Sequence, residues 1–397
     1  MKKIELLAPA GDLEKLKVAL IYGADAVFIG GKKFSLRSRA SNFSLEDIEE
    51  GCKFAHSLGK KVHVTCNIVM HNNDLDGLDE YLLALDKIGV DAIITSSLFM
   101  AKRIKELTKI EVHISTQESS LNSEACSFFF DEGADRVVLA RECSLDDMKS
   151  ICKKKKGEIE AFVHGGMCSS YSGRCMLSNL MTNRDANRGG CAHSCRWKYK
   201  IYSSGKEILK ENEYFSMSGK DLCGIKFVPD LIDIGVDSLK IEGRMKSLNY
   251  IACICKAYRM CINDYILGNK MNFEHYLEYI DACENRDTSI GFFNGELTKE
   301  QQLFDLDKEL KKAGEFVGYI TSYDEKTKTA KMILRNKIIS NKEYILLTPS
   351  RDFEYIFIGT ILNKKGEEID QYSIANEEIS FISEKTLNPF DIIRLKK

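Results

Sequence analysis

Hydrophobic residues in the first two thirds of the chain follow two alternating patterns. Short apolar runs rich in Val and Ile are separated by stretches in which apolar residues recur every three or four positions. The runs predict buried parallel strands, and the stretches predict amphipathic helices that cover them. The predicted strands are Ile4–Ala10, Ala26–Gly30, Lys61–Val69, Ala92–Ser97, Glu111–Gln117, Arg136–Glu142, Glu160–Gly165 and Ser238–Arg244.

Four stretches share one sequence pattern: YGADAVFIGG, IGVDAIITSS, EGADRVVLAR and IGVDSLKIEG. Each predicts a helix end, a turn and a buried strand, and such an internal repeat favours an α/β TIM-like (β/α)8 barrel. A doubly wound open sheet is the rival fold, but no predicted strand of this chain is followed by the glycine-rich turn that binds a dinucleotide. Glycines are expected at the helix ends because a left-handed C-cap favours them. They are Gly23, Gly59, Gly89, Gly133 and Gly235.

The pattern changes near the end of the chain, where Phe316–Lys397 alternates apolar and polar residues in short runs separated by turns. This alternation predicts a small C-terminal β-barrel domain. The predicted organisation is therefore a barrel over 1–300 with a cysteine-rich loop at 160–200, a charged linker at 301–315, and the C-terminal domain at 316–397.

Composition narrows the possible functions. No apolar run reaches the length of about 18 residues that a membrane helix needs, and the apolar stretch at the N-terminus is too short for a signal peptide. We therefore expect a cytoplasmic protein, in which the 14 cysteines are reduced. The net charge of −2 gives no general basic field, so a nucleic-acid partner requires a local patch.

Four cysteines lie in one segment with the spacing C-x6-C-x15-C-x3-C, namely Cys168, Cys175, Cys191 and Cys195. Clustered thiolates are typical of a soft metal centre. The irregular spacing favours a [4Fe–4S] cluster over zinc, which prefers closely paired cysteines. Zinc, or four thiols that only pack, remain alternatives. Cys223 is either a substitute ligand or a cysteine that packs against a helix.

Other candidate residues follow the predicted strands, where barrel enzymes place their sites. His164 directly precedes the cysteine segment and either orients the site or simply holds its loop by a hydrogen bond. Arginines that converge there would bind a polyanion or a small carboxylate, and Tyr171, Trp197 and Tyr199 could stack on a base. The candidate catalytic residues are His164, Arg37, Arg39, Arg244 and Glu242.

The stretch EAFVHGGMCSSYSGRCMLS, residues 160–178, resembles the signature of the peptidase U32, or collagenase-like, family. Gly166 stands where that signature usually has Ser or Ala. Similarity continues through LLAPAG, FSLRSRASNFS, STQESSLN, TNRDANRGGCAHSCRW, SGKDL, SLKIEGRMKS and GFFNG, so the resemblance spans nearly the whole chain.

This resemblance implies an activity that spacing alone does not. Characterised members of the family hydroxylate RNA or, in other cases, quinones, and the chain looks most like members that convert a tRNA wobble uridine to 5-hydroxyuridine. It implies a [4Fe–4S] cluster on Cys168, Cys175, Cys191 and Cys195, prephenate as co-substrate, tRNA as partner, and a U32 paralogue as a candidate hetero-partner. A metal-dependent peptidase and an RNA-binding protein with a structural cluster remain open alternatives.

Overall fold

The structure is a computed structural model that describes residues 4–36, 42–283, 286–298, 301 and 315–395. The described residues form two compact units. The first comprises those up to 277 together with 286–301, and the second comprises 278–283 and 315–395. The predicted linker at 301–315 lies outside the described residues except at its two ends.

The first unit is a closed barrel of eight parallel strands. The eighth strand pairs with both the first and the seventh, and this pairing closes the barrel. The strands are β1 (Glu5–Pro9), β2 (Ala26–Gly30), β3 (Lys61–Cys66), β4 (Ala92–Thr95), β5 (Glu111–Ile114), β6 (Arg136–Val138), β7 (Glu158–Gly165) and β8 (Ser238–Ile241). The predicted TIM-like fold is confirmed.

Helices surround the barrel, and several begin at a Ser, Asp or Asn whose side chain accepts a backbone hydrogen bond, for example Asp12, Ser44 and Asn122. The five glycines predicted at helix ends all have positive φ. The helices are α1 (Leu13–Ile21), α2 (Leu45–Ser57), α3 (Leu78–Ile88), α4 (Leu98–Leu107), α5 (Ser123–Asp131), α6 (Leu145–Lys154), α7 (Leu177–Thr182), α8 (Val228–Ile234) and α9 (Leu248–Leu267). A further helix, α10 (Phe273–Asp281), contributes residues to both units. None in the described part of the chain is long and apolar enough to cross a membrane.

The connection from β7 to β8 is the longest in the barrel. It contains the cysteine segment with α7, a short hairpin formed by Tyr202–Ser203 and Lys206–Glu207, and α8. A short strand, Asp221–Cys223, pairs antiparallel with the end of β7, and Thr288–Ser289 pairs with that strand in turn. These additions widen the sheet at the carboxyl end of β7.

Charged side chains occupy part of the barrel interior. Arg136, which is 2% exposed, bonds to Glu5 at 2.5 Å, Glu158 at 2.6 Å and Glu160 at 2.8 Å. The Nζ atom of Lys240 lies 2.7 Å from Glu160. Burial alone would raise the pKa of the Glu160 carboxyl, but Lys240 and Arg136 hold it below its ordinary value. The network keeps the fully buried carboxylate of Glu160 charged and paired.

Two buried histidines accompany this network. The rings of His63 and His113 meet edge to face with centroids 4.8 Å apart, and both residues are fully buried. Neither ring nitrogen of His63 has a hydrogen-bond partner among the described residues. Burial lowers the pKa of His63 to about 3, although Glu5 and Glu160 act in the opposite direction, and burial also lowers the pKa of His113.

The folded state should therefore lose stability in acid. Unfolded His63 binds a proton near pH 6.5 and folded His63 only near pH 3, so the unfolded state holds more protons in that window. Stability should fall as the pH decreases from about 6.5 towards 3, by up to about 1.4 kcal/mol per pH unit for this one group. Denaturant unfolding at several pH values measures the slope. His63→Leu should flatten it relative to a control substitution of exposed His71, and an unchanged slope would contradict the argument.

The second unit is an antiparallel half-barrel. Its sheet contains, in spatial order, Glu354–Ile358, Lys342–Leu347, Ile392–Leu395, Phe316–Asp324, Thr329–Leu334, Glu378–Ile382, Ile361–Leu362 and Glu368–Ile369. Alternate residues such as Ala330, Met332 and Leu334 are fully buried in one apolar core. The small C-terminal β domain predicted from period-two alternation is therefore confirmed, and its strands are antiparallel.

Candidate active site at the barrel mouth

The cysteine segment leaves the end of β7 and lies against the loops that follow three other strands. The Oγ atom of Ser119, after β5, donates to the Ser172 carbonyl at 2.5 Å. Glu142, after β6, accepts from the backbone and hydroxyl of Ser172, each at 3.1 Å. After β3, Val69 donates to the Asn187 carbonyl at 3.0 Å. Because all these loops stand at the carboxyl ends of parallel strands, the segment covers the face where barrel enzymes place their sites.

Gly173 makes the closest contact between the cysteine segment and these loops. Its φ is +74°, and a Cβ atom there would stand 2.1 Å from the carbonyl oxygen of Gln117. Only glycine fits without a backbone shift, because both the conformation and the space exclude a side chain. The glycine in CSSYSGRC is therefore a structural requirement of the site.

Gly173→Ala should loosen the segment and destabilise the protein by about 1–3 kcal/mol, since a strained residue must also displace a backbone carbonyl. Thermal melting and limited proteolysis within 166–200 measure the two effects. Gly205→Ala is the matched control, because Gly205 has nearly the same φ, +76°, but nothing within 4 Å of the added atom. Equal losses in the two variants would contradict the proposed close packing.

Hydrogen bonds inside the segment join its cysteine-bearing parts. The hydroxyl of Ser178, on α7, donates to the Gly190 carbonyl at 3.3 Å and accepts from the Ala192 backbone at 3.0 Å. Asn187 donates to the carbonyl of Cys175 at 3.4 Å, and Ser216 donates to that of Cys195 at 3.2 Å. The small polar residues between the cysteines thus hold the segment in one folded arrangement.

Two of the other thiols lie close enough to Cys168 to affect the pKa of its thiol. Cys168 and Cys191 are exposed, and Cys175 and Cys195 are half-buried. Although Cys168 has an exposed surface, surrounding protein atoms crowd it, and this desolvation raises the pKa of its thiol. Glu242, Cys195 and Cys191 act in the same direction and Arg141 opposes them. Cys168, Cys191 and Cys195 therefore lie in one neighbourhood, together with an arginine and a glutamate.

The thiol arrangement is nevertheless not a closed ligand set. Within the described ranges, no group of three or more His, Cys, Asp or Glu side chains is placed to hold a metal ion. What fits an iron–sulfur cluster is the chemistry of the donors, four reduced thiols on one segment.

Two charged residues near Cys168 follow other strands of the barrel: Arg141 comes after β6 and Glu242 comes after β8. A nitrogen of Arg141 lies 3.4 Å from a carboxylate oxygen of Glu242, and its guanidinium lies 4.0 Å from the centroid of the Phe162 ring. Both side chains of the ion pair are partly buried. The pair places a positive and a negative charge at the mouth, next to a candidate cluster ligand.

Arg244 occupies a second polar cluster at the mouth. It is buried and donates to the Ser35 hydroxyl at 3.1 Å and to the side-chain oxygen of Asn42. The Ser35 hydroxyl lies 3.0 Å from that of Thr65. Because Gly30 leaves room beside it, the Arg244 guanidinium approaches the end of β2 closely. Arg244, after the last strand, and Ser35, after the second, therefore lie together at the barrel mouth.

Family models match both units of the chain. One described as peptidase family U32 matches residues 11–303, and one described as peptidase family U32 C-terminal domain matches residues 312–394. The chain belongs to peptidase family U32.

Named relatives of this U32 protein include tRNA hydroxylation proteins. It is 44% identical over 405 residues to tRNA hydroxylation protein P1 of Bacillus subtilis, covering 100% of this chain and 96% of the relative. It is 30% identical over 419 residues to tRNA hydroxylation protein P of Haemophilus influenzae, covering 93% and 90%. It is also 37% identical over 308 residues to a protein named collagenase from Porphyromonas gingivalis, covering 74% of each chain.

The remaining predicted site residues of the U32 protein are His164, Cys223, Arg37 and Arg39. His164 is buried, its Nδ1 is 3.2 Å from the Tyr258 hydroxyl, and its ring also contacts Tyr250. It therefore faces α9. Cys223 pairs with His164 across the short strand and lies near Tyr258, so its thiol also packs towards that helix. Arg37 and Arg39 lie outside the described residues.

Sequence analysis assigned no role to two residues at the barrel mouth of the U32 protein, Gln117 and Arg141. Gln117 accepts from Asn67 at 2.7 Å and from Ser115 at 3.1 Å, and its backbone meets Gly173. Arg141 joins Glu242 beside Cys168. The only sequence signal for either was its position directly after a predicted strand.

Proposed function

We propose that this protein hydroxylates the wobble uridine of tRNA to 5-hydroxyuridine. The observation that carries the proposal is the match to a tRNA hydroxylation protein over the whole chain, C-terminal unit included. A wobble base is already unpaired in its loop, so presenting it to a site at the barrel mouth costs little. The position of the cysteine segment across that mouth supports the same assignment.

We infer that Cys168, Cys175, Cys191 and Cys195 would hold a [4Fe–4S] cluster. Such a cluster supplies the redox chemistry that inserting oxygen into a pyrimidine ring needs and that side chains lack. The chain's own contribution is to bring the thiols to the mouth, through Ser172, Gly173 and Ser178, and to set charges beside them. The family resemblance and the thiol chemistry support this part of the proposal.

Prephenate is the proposed co-substrate. Its carboxylates suit guanidinium groups, which bind carboxylates through two parallel hydrogen bonds. Arg244 and Arg141 supply guanidiniums at the mouth, and Glu242 holds Arg141 in place before a ligand binds. Arg37 and Arg39, next to Ser35 in sequence, are further candidates for the same role.

Mass spectrometry of tRNA nucleosides tests the proposal. A strain that lacks this gene should lose 5-hydroxyuridine, and the wild-type gene should restore it. Blocking prephenate synthesis should have the same effect as the deletion. Unchanged 5-hydroxyuridine in the deletion strain would exclude the proposed activity.

A second candidate is a metal-dependent peptidase, which the relative named collagenase favours. It predicts cleavage of gelatin by the purified protein and loss of that cleavage with a chelator. No cleavage by freshly purified, metal-loaded protein would remove this candidate.

A further inference from the structure

An aromatic surface stands beside the cysteine segment. Trp197, the one tryptophan of the chain, is 41% exposed although its ring is large and apolar. Its ring stacks on that of Tyr199, with centroids 6.4 Å apart and planes inclined by 30°. Tyr202, on the neighbouring hairpin, is 61% exposed. A protein surface with several exposed aromatic rings commonly marks a binding site.

The aromatic pair is held in place by its neighbours. Tyr199 exchanges backbone hydrogen bonds with Phe215 at 2.8 and 2.9 Å, and its hydroxyl donates to the Ser194 carbonyl at 2.7 Å. The backbone of Trp197 donates to the same carbonyl at 3.1 Å. The exposed Trp197 ring is therefore presented by a backbone with defined hydrogen bonds, and it rests on a second ring that is fixed.

Basic residues alternate with the rings in the sequence WKYK, residues 197–200. In extended chain, successive side chains point to opposite sides. Accordingly Trp197 and Tyr199 stack together, while Lys198 and Lys200 both lie over the ring of Tyr214, at 5.0 and 4.5 Å. The ribbon thus has one side with two aromatic rings and an opposite side with two lysines, of which Lys200 also pairs with Glu207 at 2.7 Å.

The charge of the whole segment agrees with this local pattern. Residues 166–220 contain nine Lys or Arg and four Asp or Glu, an excess of five positive charges in a chain whose net charge is −2. The remaining residues together carry a net negative charge, so the positive excess belongs to residues 166–220. A local excess of this kind attracts a polyanion to one face of the protein.

We propose that Trp197, supported by Tyr199, is a stacking platform for an unstacked base of single-stranded RNA, and that Lys198 and Lys200 contact the adjoining phosphates. This inference rests on the proposed function and identifies the surface on which the RNA substrate would bind. Stacking of bases on aromatic rings, flanked by cations, is how proteins bind single-stranded RNA. Trp197 is two residues from Cys195, so a base on this platform would lie next to the proposed cluster ligands.

The single tryptophan makes the inference directly measurable. The full chain, purified without oxygen, is titrated with a short stem-loop RNA that carries a uridine at the first anticodon position. A base stacked on Trp197 should quench the intrinsic tryptophan fluorescence at the same RNA concentrations at which the anisotropy of labelled RNA rises. RNA that binds without changing the fluorescence would overturn the proposal.

Variants test the two sides of the ribbon separately. Trp197→Ala should weaken RNA binding about tenfold or more, and Trp197→Phe should keep much of it, because phenylalanine still stacks. Phe128→Ala, which removes an exposed ring from helix α5, is the matched control and should not weaken binding. Equal affinities for Trp197→Ala and the wild type would overturn the platform.

The lysines are tested by salt dependence. Changing Lys198 and Lys200 together to Ala should reduce the slope of log affinity against log salt by about 1.4, because each phosphate of a single strand that a lysine neutralises adds roughly 0.7 to that slope. Lys153 and Lys154, at the end of α6, provide the control pair. Failure of the two proposals is distinguishable: quenching and variant effects without 5-hydroxyuridine in cells would uphold the platform and refute the hydroxylase.

Discussion

Cys175→Ser should abolish both the visible absorbance of anaerobically purified protein and the formation of 5-hydroxyuridine. A serine hydroxyl does not replace a thiolate as a ligand of an iron–sulfur cluster. Loss of even an outer-shell partner of a metal site typically costs about 10- to 100-fold, so loss of a ligand should lower activity by about 100-fold or more. Absorbance, iron and sulfide content, and nucleoside mass spectrometry measure the result.

Two control substitutions sharpen this experiment. Cys152→Ser changes a half-buried thiol on α6, outside the segment, and should leave absorbance and activity unchanged. Cys223→Ser should also keep the absorbance, because the thiol of Cys223 packs towards Tyr258. If Cys223→Ser lost the colour while Cys175→Ser kept it, the assignment of the four ligands would be wrong.

Arg136→Met should destabilise the folded protein by about 3–5 kcal/mol. Arg136 is almost completely buried and pairs with Glu5, Glu158 and Glu160, and removing one partner of a buried ion network leaves uncompensated charge. Lys240 still pairs with Glu160, so the main loss should come from Glu5. Denaturant unfolding at neutral pH measures the change.

The matched control for this prediction is Arg103→Met. Arg103 also pairs with two carboxylates, those of Asp79 and Glu106, but at the surface, where such pairs contribute little. Adding Glu5→Gln to Arg136→Met should recover part of the lost stability, because it removes the unpaired charge. Equal effects of Arg103→Met and Arg136→Met would show that burial of the network is not what makes it important.

Strand positions were predictable from sequence, but strand ends were not. β3, β5 and β6 stop at Cys66, Ile114 and Val138, several residues before their predicted ends. Residues beyond these strand ends form side-chain hydrogen bonds across the barrel mouth, as Asn67 does with Gln117. Their side-chain partners come from other loops, and no local pattern of hydrophobic residues contains that information.

His164 shows why a residue's position in a strand does not fix its direction. Alternation would place His164 on the same side of β7 as Phe162, whose ring lies beneath Lys240 and Arg141. The pairing of β7 with β8 shifts register between these two residues, and His164 contacts α9. A β-bulge of this kind re-aims a side chain, and the sequence carries no visible sign of it.

The sequence by itself determined the barrel, the antiparallel second unit, the helix-terminating glycines and a thiol-rich segment after the seventh strand. These follow from residue spacing, since periods of 2 and 3.6 are properties of neighbouring residues. Only the tertiary structure decided that Arg141 and Glu242 flank Cys168, that Gly173 rests on Gln117, and that His164 turns away. Barrel closure brings together residues far apart in sequence, and their contacts depend on register and loop path, which spacing does not encode.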